Sequence, residues 1–190
     1  MSFRNILKVF DQSSSEDREA GIHWYRRAQS DALVLPVNLI TASAVIAALS
    51  PGLRWERNIE AARRVIVDQS LVGLGVRWYA NVAKGRRIVL GESPDVVLKG
   101  NKVRAFWQCI LHGGQSEHVC VDGHAYSIYA GKRLTLDDIP RLANYRYNRI
   151  ARAYVRAGKA VGISGSSMQA ITWTTWRRIH GVSVELSESV

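Results

Sequence analysis

The stretch from residue 37 to residue 49 reads VNLITASAVIAAL, and it constrains the fold more than any other part of the chain. A helix formed by these residues is apolar nearly all round, so we predict a central helix that other helices surround. The stretch is well short of the roughly 20 apolar residues that span a bilayer. It must therefore be buried in a protein core that the remaining segments complete.

The remaining segments carry helical patterns and few strand signals. Helices are predicted near residues 1–9, 21–35, 57–69, 77–91, 124–130, 135–162 and 167–181. A short helix can also begin at Pro94, since proline is favoured in the first turn. A chain of 190 residues is long enough for one well-buried core. We predict an all-α fold with one compact domain at 21–182, an N-terminal extension at 1–20 and a tail at 183–190.

The chain is strongly basic. It holds 26 Lys and Arg against 16 Asp and Glu, a formal net charge of +10, and such a surface attracts polyanions. We expect double-stranded DNA as the partner, with no membrane attachment. The opening MSFRNILKVF is too short and too polar for a secretion signal. Two cysteines cannot form a disulfide framework, which favours a cytoplasmic location.

Asp122 is the first candidate for chemistry. It lies between Val121 and Gly123 in VCVDGHAYSI, where apolar residues surround it. A partly solvated carboxylate suits general-base or electrostatic catalysis. An aspartate before an apolar run is also a common N-cap, here for a helix that begins near His124. The two roles are compatible.

A metal site at this segment is the less favoured alternative. His118, Cys120, Asp122 and His124 alternate, so they would share one face of an extended strand. No matching pair of ligands occurs elsewhere, apart from His112, and helix capping accounts for Asp122 without an ion. We expect no metal and no cofactor.

Four segments, taken in order, resemble the helix-hairpin-helix DNA glycosylases of the endonuclease III type. LITASAVIAALSPGLRWERNIEAA resembles the helix and loop around that family's LLSxQ segment, and YANVAKGRRI resembles its YxNxKAxxI helix. LKGNKVRAF resembles its LPGVGxxTA hairpin, and VCVDGHAYSI resembles its VDTHVxRV segment. The resemblance covers approximately residues 39–129 and implies a helix-hairpin-helix glycosylase-like fold.

The resemblance assigns roles to particular residues. Asp122 matches the catalytic aspartate, Gly100 the first hairpin glycine and Lys102 the second. Arg104 matches the position where lyase-type members hold a Schiff-base lysine. Because arginine stays protonated and cannot attack a sugar carbon, this implies a glycosylase without lyase activity. A shift of two residues in the hairpin would place Lys102 at the lysine position instead.

The resemblance also suggests contacts to DNA. The predicted DNA-binding residues are the hairpin residues Lys99, Gly100, Asn101, Lys102 and Arg104, the wedge candidates Leu53 and Arg54, and Lys84. The predicted base pocket comprises Trp24, Tyr25, Trp55, Asn58, Asn81, Trp107 and His124. Each aromatic residue has an alternative role in the core, and Asn58 and Asn81 have one in structural hydrogen bonds to the backbone.

The sequence departs from the family pattern in several places. It lacks the four cysteines of an iron-sulfur cluster, and Gly123 stands where the family usually has Thr. These departures resemble a divergent branch of phages and their hosts that is linked to hypermodified DNA bases. We therefore expect a monomeric glycosylase that excises a modified pyrimidine as a defence against phages. The alternatives are a transferase that adds amino acids or polyamines to activated hydroxymethyl pyrimidines, and a non-catalytic DNA-binding module.

Overall fold

The computed structural model describes residues 2–67, 79–135 and 137–181, and every regular element in these ranges is a helix. The ten helices are α1 (Phe3–Asp11), α2 (Ser15–Leu33), α3 (Leu39–Leu49), α4 (Trp55–Val67), α5 (Tyr79–Val89), α6 (Pro94–Val97), α7 (Asn101–Leu111), α8 (Gly123–Ala130), α9 (Asn144–Ala160) and α10 (Gly165–Ile179). The predicted all-α class is confirmed. None of these helices is both long and apolar enough to cross a membrane.

Helix α3 lies at the centre of the larger of two hydrophobic clusters. Every residue from Ala42 to Leu49 is buried, and α2, α4, α5 and α7 pack around them. The predicted central helix is therefore confirmed. It begins at Leu39 because the Asn38 side chain caps it by accepting a hydrogen bond from the Thr41 amide at 2.9 Å.

The second cluster is built from α1, α8, α9 and α10, with Ile6, Ile128, Tyr154 and Met168 fully buried in it. Helices α7 and α10 contribute residues to both clusters, and α10 packs against α2 of the larger one. The two clusters therefore belong to one compact domain, and the seam between them runs beside α7 and α10.

The N-terminal segment belongs to this core. Ile6 and Val9 of α1 are buried, and α1 packs against α8, α9 and α10. Helix α2 begins at Ser15, well before the predicted start at residue 21, because Ser14 and Asp17 form a reciprocal capping box. Residues 2–20 thus contain α1 and the start of α2, and both helices pack against other helices of the fold.

Two predicted features lie outside the described residues. The helices predicted at 57–69 and 77–91 correspond to α4 and α5, and the residues that join them, 68–78, are not described. The same holds for the predicted tail at 183–190. The short helix predicted at Pro94 is confirmed as α6, with Pro94 in its first turn.

Helices α2 and α10 approach each other closely at Gly21. A Cβ atom added to Gly21 would lie 2.5 Å from the Cα atom and 2.6 Å from the amide nitrogen of Ile171. Because these are backbone atoms of a packed helix, no side-chain rotation relieves the overlap. The contact sets the distance between α2, which carries Trp24 and Tyr25, and α10, which carries Gln169 and Trp173.

We expect the substitution Gly21→Ala to lower the free energy of unfolding by about 1–3 kcal/mol through overpacking. In an uncrowded helix the same change would be stabilising, so the sign of the change in unfolding free energy tells whether Gly21 is crowded by α10. Urea denaturation measures it, with Glu19→Ala at an exposed site of α2 as the control. A Gly21→Ala variant more stable than the parent would contradict the close crossing.

Candidate functional site

Asp122 is held by hydrogen bonds to both of its carboxylate oxygens. It is the N-cap of α8, and its Oδ1 accepts a hydrogen bond from the Ala125 amide at 2.7 Å. Its Oδ2 accepts a hydrogen bond from the indole nitrogen of Trp173 on α10 at 3.1 Å. The predicted capping role is confirmed, and the second bond fixes the plane of a half-buried carboxylate.

Asp122 lies in the wall of a small cavity between α2 and α10. The cavity is lined by Trp24, Tyr25, Cys120, Asp122, Gln169, Ala170 and Trp173. Its volume of about 20 Å³ has room for about one water molecule. A nucleobase does not fit this space unless a side chain in the wall moves.

Two other acidic groups in the cavity wall are held neutral by burial. Desolvation raises the pKa of the Tyr25 hydroxyl well above its usual value, and the hydroxyl donates to Gln169 Oε1 at 2.8 Å. Desolvation also raises the pKa of the Cys120 thiol. Asp122 is the one carboxylate among the lining residues.

An aromatic cluster forms one side of the cavity. The ring centroid of Trp24 lies 4.8 Å from that of Tyr25, 5.4 Å from Trp55 and 6.4 Å from Trp173. Trp24 and Trp173 are only partly buried, whereas Tyr25 and Trp55 are buried. The partly exposed pair therefore forms the side of the cavity nearest to solvent.

Where the hairpin is predicted, the structure has a short helix, three residues outside any helix and a longer helix. Helix α6 is followed by residues 98–100 and then by α7, whose N-cap Gly100 provides no side-chain cap. No acidic residue occupies the first turn of α7. Free amide groups and the helix dipole make such a helix start favourable for a phosphate.

The start of α7 lies beside the segment that carries Asp122. The thiol of Cys120 donates to the backbone carbonyl of Lys102 at 3.8 Å. Lys102 precedes Phe106 by one helical turn, and the Phe106 ring lies 5.9 Å from that of Trp24. Lys102 therefore shares the side of α7 that faces the aromatic cluster.

Arg104 lies on a different side of α7. Its guanidinium is 2.9 Å from the Asp95 carboxylate in an exposed ion pair, and both residues line an open cleft of about 510 Å³ between α7 and α9. The residue that matches the lyase lysine is thus turned away from the Asp122 cavity.

Several predicted base-pocket residues do not line the cavity. Trp55 is buried and donates to Asp31 Oδ2 at 2.8 Å, and Trp107 borders the cleft between α7 and α9. The Asn58 amide donates to the Ile46 carbonyl at 3.1 Å, which is its structural alternative. Asn81 accepts a hydrogen bond from Lys84 at 3.2 Å on α5. Of the predicted set, the structure brings Trp24 and Tyr25 to the cavity.

The remaining predicted residues lie at the edges of the site. His124, in the first turn of α8, has its ring centroid 6.3 Å from that of Trp173. Leu53 packs against the larger hydrophobic cluster, whereas Arg54 is exposed in the loop between α3 and α4. Lys99 is exposed in the hairpin turn, and Asn101 begins α7.

Sequence reasoning did not assign Cys120, Gln169, Ala170 or Trp173 to the cavity. Gln169 and Trp173 are polar or aromatic residues four apart on one face of α10, which was the available signal. Their position beside Asp122 depends on how α10 packs against α8, and no local pattern specifies that packing.

The four alternating residues considered for a metal site do not converge. His118 stacks on His112 with ring centroids 6.5 Å apart, Cys120 points to the Lys102 carbonyl, and Asp122 caps α8. Among the residues that the structure describes, no group of three or more His, Cys, Asp or Glu could hold a metal ion.

Fold and site together define an all-α protein with a helix-capping carboxylate in a small aromatic cavity. The model of the Family of unknown function (DUF7178) matches residues 1–180, so the chain belongs to that family. No curated protein and no solved structure matches the chain.

The capping geometry predicts how substitutions at Asp122 affect stability. Asp122→Ala removes the cap and leaves the Trp173 indole N–H unpaired, so we expect a loss of about 1–3 kcal/mol. Asp122→Asn keeps a good N-cap and should cost less than about 1 kcal/mol. Urea unfolding of both variants measures the difference, and equal stability of the alanine variant and the parent would contradict the capping role.

Proposed function

We propose that the protein is a DNA glycosylase that extrudes a modified base from duplex DNA and removes it, leaving an abasic site. The observation that carries the proposal is the Asp122 carboxylate, which two donors fix in the wall of an aromatic cavity beside the start of α7. The resemblance to glycosylases of the endonuclease III type assigns the catalytic role to the same residue.

The position of Asp122 suits the chemistry of N-glycosidic cleavage. As the bond to the base breaks, its electrons leave with the base and positive charge develops on the deoxyribose. A fixed carboxylate stabilises that charge and accepts a proton from the water that attacks the sugar carbon. Because the Ala125 amide and the Trp173 indole already orient the carboxylate, little reorganisation is needed during the reaction.

Extrusion of a base requires the cavity to enlarge. Trp24 and Trp173 are the partly exposed aromatic walls, and an aromatic face that moves aside provides a stacking surface for the extruded base. Arg54 is exposed in the loop between α3 and α4, so it is the wedge candidate that remains available, since Leu53 packs on the core.

The hairpin supplies the contact to the DNA backbone. The start of α7 has free amides and no acidic residue in its first turn, and Lys99 and Lys102 add positive charge next to it. With a net charge of +10, the chain would bind the duplex in a salt-dependent way. A hypermodified pyrimidine of phage DNA is the proposed substrate, on the basis of the resemblance to the phage and bacterial branch.

The proposal is tested by incubating the protein with genomic DNA from phages that carry different modified pyrimidines, alongside unmodified DNA. We expect one modified DNA to yield abasic sites and a free modified base, both measured by mass spectrometry. Asp122→Asn should lower the rate at least about 100-fold through loss of charge stabilisation. Asp31→Asn is the matched control, since Asp31 also accepts a hydrogen bond from a tryptophan but lies outside the cavity.

The same experiment separates the alternatives. If addition of an amine donor yields a base of altered mass that stays attached to its sugar, the protein is a transferase and not a glycosylase. Salt-sensitive binding to every duplex without any product would identify a non-catalytic binding module. An equal loss of excision rate in the Asp122→Asn and Asp31→Asn variants would contradict a catalytic role for Asp122.

We expect the enzyme to lack lyase activity, because Arg104 occupies the position of the lyase lysine and is paired with Asp95. Treatment with borohydride in the presence of an abasic duplex should therefore leave no covalent protein–DNA adduct on a denaturing gel. An adduct that Lys102→Arg abolishes would show that Lys102 attacks the sugar and would overturn the prediction.

A further inference from the structure

Helix α9 carries an unusual share of the positive charge. It contains five cations, Arg146, Arg149, Arg152, Arg156 and Lys159, and no acidic residue. These five charges equal half of the formal net charge of +10. The charge of the chain is therefore concentrated on one helix.

Four of these cations form a line on the solvent side of α9. With 3.6 residues per turn, Arg149, Arg152, Arg156 and Lys159 fall within an arc of about 80°. All four are exposed, and the buried residues Ile150, Tyr154 and Ala157 lie on the opposite side. We refer to these four residues as the α9 stripe.

Among the described residues, the α9 stripe has no carboxylate partner. The cations Arg57, Arg64, Arg87, Arg104 and Arg178 are paired with carboxylates. Within the described residues no ion pair involves the α9 stripe, although Arg156 stacks over the Phe3 ring at 3.9 Å. Four like charges in a row repel one another, so an arrangement of this kind favours an anionic partner.

The α9 stripe adjoins the hairpin. The side-chain amide of Asn101, the first residue of α7, donates to Asn144, the first residue of α9, at 2.9 Å. The cleft between the two helices is lined by two cations, Arg104 and Arg152, and by two carboxylates, Asp95 and Glu117, and Arg104 is paired with Asp95. The positive charge that is left uncompensated in this part of the described structure therefore lies on α9, next to the hairpin.

We infer that α9 is a second surface for the DNA backbone, which binds the phosphates of the duplex that flanks the hairpin. The inference rests on the duplex substrate of the proposed function. From Arg149 to Lys159 the helix rises about 15 Å, at 1.5 Å per residue. At about 3.4 Å per phosphate along one strand, that length matches about four successive nucleotides. The periodic line of charges suits a duplex backbone better than a compact anion.

The test measures the affinity of the full chain for a labelled 20-base-pair duplex by fluorescence anisotropy, between about 50 and 200 mM salt. The stripe variant combines Arg149→Gln, Arg152→Gln and Lys159→Gln and leaves Arg156 on Phe3. The matched control combines Lys8→Gln, Arg27→Gln and Arg63→Gln. Each variant loses three exposed cations, but those of the control are spread over α1, α2 and α4.

Each phosphate contact contributes about 0.9 to the magnitude of the slope of log K against log salt. In the stripe variant, which lacks three cations, the magnitude of this slope should therefore be smaller by about 2–3. Its affinity near 100 mM salt should fall by about 10- to 100-fold. The control should change the slope by less than about 1. A further variant with Arg149→Lys and Arg152→Lys should keep the parental slope, because a point charge suffices for a phosphate.

Unfolding in urea verifies that the stripe variant remains folded, which its exposed positions lead us to expect. An unchanged slope in the folded stripe variant would overturn the inference. So would a stripe variant that keeps duplex binding but loses binding to phosphatidylserine vesicles, since that result would assign the α9 stripe to lipid headgroups.

The outcomes also distinguish this inference from the proposed function. If the stripe variant excises the base and keeps the parental salt slope, the glycosylase proposal is supported and the second DNA surface is contradicted. If the stripe variant has a smaller salt slope and the parent excises no base from any modified DNA, the second DNA surface is supported and the glycosylase proposal is contradicted. If the parent binds no duplex at all, both proposals are contradicted.

Discussion

The position of the Asp122 carboxylate depends on the extended segment that precedes it. Val119 and Val121 belong to the smaller hydrophobic cluster, whereas Cys120 between them belongs to the larger one. Alternate residues of an extended chain point in opposite directions, so the two clusters hold the segment from both sides. Tyr147 adds two hydrogen bonds, since its hydroxyl donates to the Val119 carbonyl at 2.8 Å and accepts from the Val121 amide at 3.1 Å. Asp122 follows directly, which places it at the seam where α2, α7 and α10 meet.

Local sequence chemistry was sufficient to predict what depends on neighbouring residues. The buried run of α3, the cap at Asp122 and the helix start at Pro94 each follow from composition and spacing over a few residues. The early start of α2 is also encoded, in the Ser14–Asp17 capping box, although the helix was predicted to begin only at residue 21.

The composition of the cavity could not be predicted in this way, because its walls come from segments far apart in the chain. Trp173 lies 51 residues from Asp122, and its hydrogen bond exists because α10 packs against α8, which Asp122 caps. The same limit applies to the hairpin. An ungapped match assigned Arg104 to the lysine position, but the register of α7 turns Arg104 toward Asp95 and Lys102 toward the side of Phe106. Helix register is set by which residues the core accepts, and only tertiary packing determines that.

The two tryptophans in the cavity wall are not equivalent in the proposed mechanism. Moving Trp173 would break its hydrogen bond to Asp122 Oδ2 and release the carboxylate that the reaction requires to be fixed. The buried indole nitrogen of Trp24 has no hydrogen-bond partner among the described residues, so moving Trp24 breaks packing contacts alone and can expose a polar group to water. Opening the cavity at Trp24 therefore preserves the catalytic geometry, whereas opening it at Trp173 destroys that geometry. In the proposed mechanism, therefore, the wall that moves is Trp24 on α2 and the wall that stays in place is Trp173 on α10.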